Sequence, residues 1–313
     1  MQYPFVPVNP PYLPANNNPT GCYRTYFTVP TSWGTTRPVH IQFESVKSAY
    51  YVYCNGVEIG YSQDSFVHAE FDLTAHVYRD GRPNLLAVKV LRWCDGSYLE
   101  DQDFWDMSGI QREVLVFSPA PVYLRDVRVN ASLTDDYEQG LFSLEVDVRN
   151  HPSSTSNSGA TESILVQVYN EPANRFEALP TTTLAAYTAA FPVLAPGSES
   201  TISVATNRVV SDIQPWSAES PKLYRVLVSV LLGDGTVRET RTVVVGFRKV
   251  ELRNAALLVN GVAITLRGVN RHEHHPELGR NVPLETCMRD IELFHQNNIN
   301  AVRTCHYPNH PRW

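Results

Sequence analysis

Three stretches of the chain concentrate side chains able to do chemistry. The first runs Trp93-Cys94-Asp95-Gly96-Ser97-Tyr98-Leu99-Glu100-Asp101-Gln102-Asp103-Phe104-Trp105, with four carboxylates set among aromatic rings. Carboxylates accept hydrogens from sugar hydroxyls, and rings stack on the apolar face of a sugar. The same oxygens suit a hard cation. A solvated acidic loop over buried tryptophans is the plain alternative, and these residues alone leave it open. The second stretch is Arg267-Gly268-Val269-Asn270-Arg271-His272-Glu273-His274-His275-Pro276. His272 and His274, two apart, would share one side of a strand and have the chemistry of zinc ligands. Structural hydrogen bonding and neutral imidazoles holding substrate hydroxyls are the other two readings. With no H-E-x-x-H and no C-x-x-C in the chain, zinc is not expected. The third is Val302-Arg303-Thr304-Cys305-His306-Tyr307-Pro308-Asn309-His310-Pro311. His306 alone reads as structural. Cys305 and His306 are not expected to act as a nucleophile pair, because neighbours on a strand point to opposite faces.

The elements that must position these groups are mostly strands. His40 to Glu44 alternates polar and apolar residues, and 49–54 is tyrosine-rich and runs into the hairpin signal Asn55-Gly56, with 57–61 returning. Further β-prone runs lie at 85–93 and 113–117, and no helix pattern occurs before residue 120. The first region is therefore predicted to be an all-β sandwich. Ser118-Pro119-Ala120-Pro121 marks a boundary. Beyond it, strands are predicted at 122–133, 141–148, 164–169, 201–205, 223–232 and 236–245. Asp234-Gly235 makes a second hairpin turn, and a Ser/Thr-rich loop covers 152–161. This spacing predicts an immunoglobulin-like sandwich.

After Phe247 the pattern changes. Residues 257–259 and 263–266 flank a third hairpin signal, Asn260-Gly261. Pro283 is expected at the first position of a helix whose Leu284, Met288, Ile291 and Phe294 share a face, ending at Asn297-Asn298. A strand at 301–306 follows. Strand, helix and strand make one βαβ unit, read as the start of a (β/α)8 barrel, a fold of about 250 residues. His272 and His306 then lie at the barrel face where active sites sit. The chain is expected to be mainly β, with domains at 1–119, 120–247 and 248–313.

Bulk properties bound the partners. Of 313 residues, 43% are hydrophobic and 19% charged, the balance of a globular protein. A net charge of -6 argues against a nucleic-acid partner. No apolar run approaches the ~20 residues of a membrane helix. The first residues carry no basic start and no apolar core of a secretory signal, and the five cysteines are odd in number and widely spaced. A cytoplasmic protein with reduced thiols is the expectation. One N-x-S/T sequon, at Asn130, is a common chance match.

Several blocks together resemble the β-galactosidases of glycoside hydrolase family 2. They are Asn18 to Tyr23, Gln63-Asp64-Ser65, Glu70 to Leu73, Trp93 through Gly109, VGFRKVEL at 245–252, RGVNRHEHHPELGR at 267–280 and QNNINAVRTCHYPNHP at 296–311. The blocks are collinear over nearly the whole chain, and the Tyr98 to Asp103 loop looks like the galactosidase version. The resemblance implies a jelly-roll sugar-binding domain, an immunoglobulin-like domain and a catalytic barrel. It implies retaining hydrolysis of β-D-galactosides such as lactose by two glutamates. It further implies Asp103 as a sugar-hydroxyl contact and sodium ligand, His272 and His306 as the histidines that hold the galactosyl ring, and Arg303 as an arginine steadying neighbouring carboxylates. Sodium and magnesium are the implied ions, a small-molecule galactoside the partner, and a homo-oligomer the assembly. Both catalytic glutamates and the magnesium ligands are expected in family segments beyond Trp313, and further residues before Gln2. Glu100, Asp101 and Glu273 are not expected to replace the glutamates, so these residues alone are expected to be inactive. A noncatalytic galactoside-binding chain, or one completed by a partner, is the competing expectation.

Overall fold

A computed structural model describes residues 8–13, 16–100, 102–154, 162–172 and 177–313. Asp101 and most of the predicted 152–161 loop lie outside them. The chain forms two compact units, one made of 1–118 with 266–313 and the other of 119–265.

The first unit opens with β1 (Thr20–Phe27), β2 (His40–Phe43), β3 (Val46–Lys47), β4 (Ala49–Cys54), β5 (Val57–Gln63), β6 (Ala69–Asp72), β7 (Asn84–Leu91), β8 (Gly109–Ile110) and β9 (Val114–Phe117). They pair antiparallel into the sheets β1-β7-β4-β5 and β6-β2-β9, with β3-β8 as a short ribbon. Alternation sends Ile41 and Phe43, Val52 and Cys54, and Leu86, Val88 and Val90 into one core, which makes a jelly-roll sandwich. Each such buried side chain contributes roughly 1.5–3 kcal/mol. Asn55 and Gly56 both take positive φ between β4 and β5, as a tight hairpin turn requires. The sequence reading missed β1 and β6 as strands, because β1 is largely exposed and β6 is short.

The second unit holds β10 (Val122–Leu133), β11 (Gly140–Asn150), β12 (Glu162–Asn170), β13 (Ala185–Phe191), β14 (Glu199–Val210), β15 (Tyr224–Leu231) and β16 (Val237–Val245). The sheets β10-β11-β14 and β13-β12-β15-β16 enclose Phe142, Leu144 and Val146 against Ile164, Val166, Val226 and Val228. This is the immunoglobulin-like sandwich, with β13 the strand the sequence did not signal. A small meander, β17 (Val250–Arg253), β18 (Ala256–Val259) and β19 (Val262–Ala263), completes the unit.

Back in the first unit, β20 (Gly268–Arg271), α1 (Leu284–Gln296) and β21 (Ala301–Thr304) form the expected βαβ unit, with β20 and β21 parallel. Pro283 stands just before the helix, not at its first position. The expected apolar face is not a covered one among the described residues. Leu284, Met288 and Ile291 are exposed, and Cys287 is the buried residue of the helix. Both strands also stop earlier than alternation suggested, so His272, His274, Cys305 and His306 belong to the loops at their C-terminal ends.

Candidate sugar site

The three chemically rich stretches converge within the first unit, and buried charges hold them together. Lys47, 1% exposed, places its ammonium 3.2 Å from Asp106 and 3.6 Å from Glu100, with the Phe104 ring centroid 4.5 Å away. Glu100 also accepts from the Ser65 hydroxyl at 2.6 Å and the Ser65 N–H at 3.1 Å. Two of the loop's acidic side chains are thus committed to structure. Asp103, between them, is exposed and makes no hydrogen bond or ion pair among the described residues. Its backbone takes φ 49°, a left-handed conformation that aspartate tolerates better than most residues.

The barrel loops are pinned by a second network. Arg280 donates to the Tyr307 hydroxyl and, at 2.9 Å, to the Trp105 carbonyl. Its guanidinium lies 4.8 Å from the Phe104 ring and 4.7 Å from Tyr307. Tyr307 stacks on Phe66 at 4.3 Å and accepts from the Glu273 N–H at 2.9 Å. Burial pushes the Tyr307 phenol above its ordinary value.

These supports leave an open cleft of 360 Å³ lined by Asp103, Phe104, Trp105, His272, His274 and Arg280. That volume suits one sugar ring. Trp105 is 66% exposed at its rim. His272 and His306 meet edge to face with centroids 5.6 Å apart, and His274 packs edge-on against Trp105 at 4.3 Å. The His272–His274 pairing expected from strand alternation gives way to His272–His306, since a loop sets neither side chain by the period of two. Burial first, then the Arg280 charge and the neighbouring His306 imidazole, hold His272 below the ordinary imidazole value. A neutral imidazole both donates and accepts, which suits a sugar hydroxyl.

Arg303 lies at the end of β21, exposed, with no carboxylate in ion-pair reach among the described residues. Cys305 and His306 follow β21, so the alternation that separates strand neighbours does not apply to them. A nitrogen of His306 and the Cys305 sulfur lie within 4.8 Å of each other. The residues that sequence reasoning missed are Lys47, Arg112 and Arg280. Each is a single basic residue in ordinary surroundings, and its partners lie up to 196 residues away.

For sodium, the uncommitted Asp103 carboxylate in the cleft lining fits as one oxygen ligand of the about six or more that hard cations take. Among the described residues the cleft lining has no second carboxylate, so it offers no magnesium site of its own.

Comparison with known proteins covers the chain end to end. The sugar-binding domain model of glycosyl hydrolases family 2 matches residues 1–121, a second model of that family 122–248, and its TIM barrel domain 250–313. The chain is 42% identical to a β-galactosidase of Psychromonas ingrahamii over 100% of the chain and 29% of that protein. It is 43% identical to one of Photobacterium profundum, over 100% of the chain and 28% of that protein. The chain therefore spans under a third of the length of these relatives. Among solved structures, a Bacteroides uniformis β-glucuronidase superposes with a TM-score of 0.79 at 22% identity, over 94% of this chain and 34% of that one. A family 2 member from Bacteroides cellulosilyticus superposes at 0.76 and 20% identity, over 94% and 38%. At such identities the superpositions speak for the fold alone.

Proposed function

Since the chain belongs to glycoside hydrolase family 2, we propose that its cleft holds the galactosyl ring during retaining hydrolysis of β-D-galactosides such as lactose. One observation carries the reading: His272 sits with the exposed Trp105 and the uncommitted Asp103 around one sugar-sized cleft, and the His306 ring backs His272 with centroids 5.6 Å apart. Identity of 42% to a β-galactosidase along the whole chain supports galactose as the sugar.

In this reading each side chain has a separate task. Trp105 stacks on the apolar face of the sugar. Neutral His272, with the His306 imidazole beside it, hydrogen-bonds hydroxyls of the ring, and these bonds tighten as it distorts toward its oxocarbenium-like transition state. Asp103 accepts from a hydroxyl and shares in holding sodium, whose charge would orient sugar oxygens. Arg303 steadies carboxylates supplied from elsewhere in a longer protein. Bond cleavage itself needs an acid/base and a nucleophilic carboxylate about 5–5.5 Å apart across the glycosidic bond. Glu273 does not fill either place, because both its oxygens are already engaged. The catalytic pair and the magnesium ligands therefore belong to a region corresponding to the remainder of the relatives. A cytoplasmic location fits the five free thiols, and no helix among the described residues is long and apolar enough to cross a membrane.

The test is kinetic and stereochemical, on a protein that carries these residues together with the following barrel. Chromogenic β-galactoside should be cleaved with β-galactose as first product by NMR, and His306→Ala and Asp103→Asn should each lower kcat/KM by 10-fold or more. Preference for a glucuronide, or α-galactose as first product, overturns the proposal.

A further inference from the structure

We propose that His272, Cys305 and His306 form a binding site for a soft divalent cation such as zinc or cadmium. One nitrogen from each imidazole and the Cys305 sulfur all lie within 4.8 Å of one another. Donors around a tetrahedral zinc ion stand about 3.3–3.6 Å apart, as bond lengths near 2.0–2.3 Å require. Side-chain rotations of roughly 1 Å close the gap. Neither imidazole makes a hydrogen bond among the described residues, so no partner competes for its lone pair.

The thiol is held in place before any ion arrives. The Cys305 N–H donates to the carbonyls of Arg271 and Arg303, at 3.0 and 2.9 Å, which ties the residue to the ends of both parallel strands. Its sulfur is buried and donates a weak bond to the Arg303 carbonyl at 3.4 Å. His272, on the open side, is exposed and gives an ion its approach. On binding, the Cys305 S–H bond breaks and its proton goes to solvent. A sulfur–metal bond forms, each imidazole donates a nitrogen lone pair to the ion, and it sheds water to match. One position stays open for a water. Thiolate and imidazole select soft ions over the oxygen-seeking sodium and magnesium. An ion held there occupies the nitrogens that a sugar hydroxyl would use.

The inference does not rest on the galactoside reading, and its experiment reads metal directly. Cadmium is titrated into the protein in a Cys22→Ser background, which removes the exposed thiol, while thiolate-to-cadmium absorption is followed. One equivalent should bind with the charge-transfer band, and Cys305→Ser should abolish that band. His272→Gln, at an exposed position that leaves the buried thiol untouched, should weaken binding 10-fold or more with an unchanged circular dichroism spectrum. A band that survives Cys305→Ser, or an affinity unmoved by His272→Gln, overturns the site. Failure of galactose to compete with cadmium would count against the galactoside reading and leave the metal site standing.

Discussion

Arg112 donates to Glu273 across 2.8 Å, and both side chains are only 5% exposed. The pair joins the β8–β9 connection of the sandwich to the loop that carries the histidines. Arg112 also donates to the Pro308 carbonyl at 2.7 Å, and the second oxygen of Glu273 accepts the His310 N–H at 2.7 Å. One carboxylate thus clamps both barrel loops to the jelly-roll domain, which is why the cleft has defined walls.

Glu273→Gln should lower stability by about 3–5 kcal/mol, because it leaves the Arg112 charge buried and uncompensated. Urea denaturation measures the loss. A change under about 1 kcal/mol would mean that the network relaxes around the lost charge.

Lys47→Met removes the cation that Glu100 and Asp106 share, and should cost about 3 kcal/mol or more. In the same background, Asp106→Asn should recover part of that loss, since it removes one of the stranded charges. A double-mutant cycle with no coupling between the two positions would refute the pairing.

The depressed value of His272 has a definite sign in pH. Folded His272 binds its proton less readily than unfolded His272, so stability rises with pH through the ordinary imidazole range and the contribution is lost as pH falls below it. NMR titration should find the His272 ring neutral at pH values where an exposed histidine is already half protonated. His272→Gln should flatten the dependence of stability on pH between about 5 and 7. A midpoint at or above the ordinary value would reject this.

Asp147 supplies an acid-side counterpart in the second unit. Arg128 and then the Thr201 hydroxyl hold its carboxyl down to about 2. The stabilisation is present above the unfolded value and disappears as pH falls toward 2. Arg128→Ala should raise the Asp147 midpoint, read by NMR, and move acid unfolding to higher pH. The pair is partly exposed, so solvent screening keeps its loss small at neutral pH.

The residues at 40–54 and 141–148 showed their strands because alternation is a local property. A half-buried strand writes its period of two into the sequence whatever it packs against. The turn at Asn55-Gly56 was legible for the same reason, as positive φ selects residue type locally. Exposed β1 and short β6 wrote no such period. The helix at Leu284–Gln296 was legible in its extent and not in its burial, since the sequence marks an apolar face without saying what covers it.

Sequence alone therefore determined the mainly β architecture, the βαβ unit, and the candidates Asp103, His272 and His306. These depend on patterns spanning a few residues or on long collinear blocks. Tertiary structure decided which groups meet. It set His272 against His306 and His274 against Trp105, and it separated the free carboxylate of Asp103 from the spent ones of Glu100, Asp106 and Glu273. Those outcomes turn on ion pairs between positions as far apart as Arg112 and Glu273, and on loops where backbone periodicity no longer fixes side-chain direction. Neither leaves a mark in local sequence, because the energy of a buried charge is set by the partner that the fold brings to it.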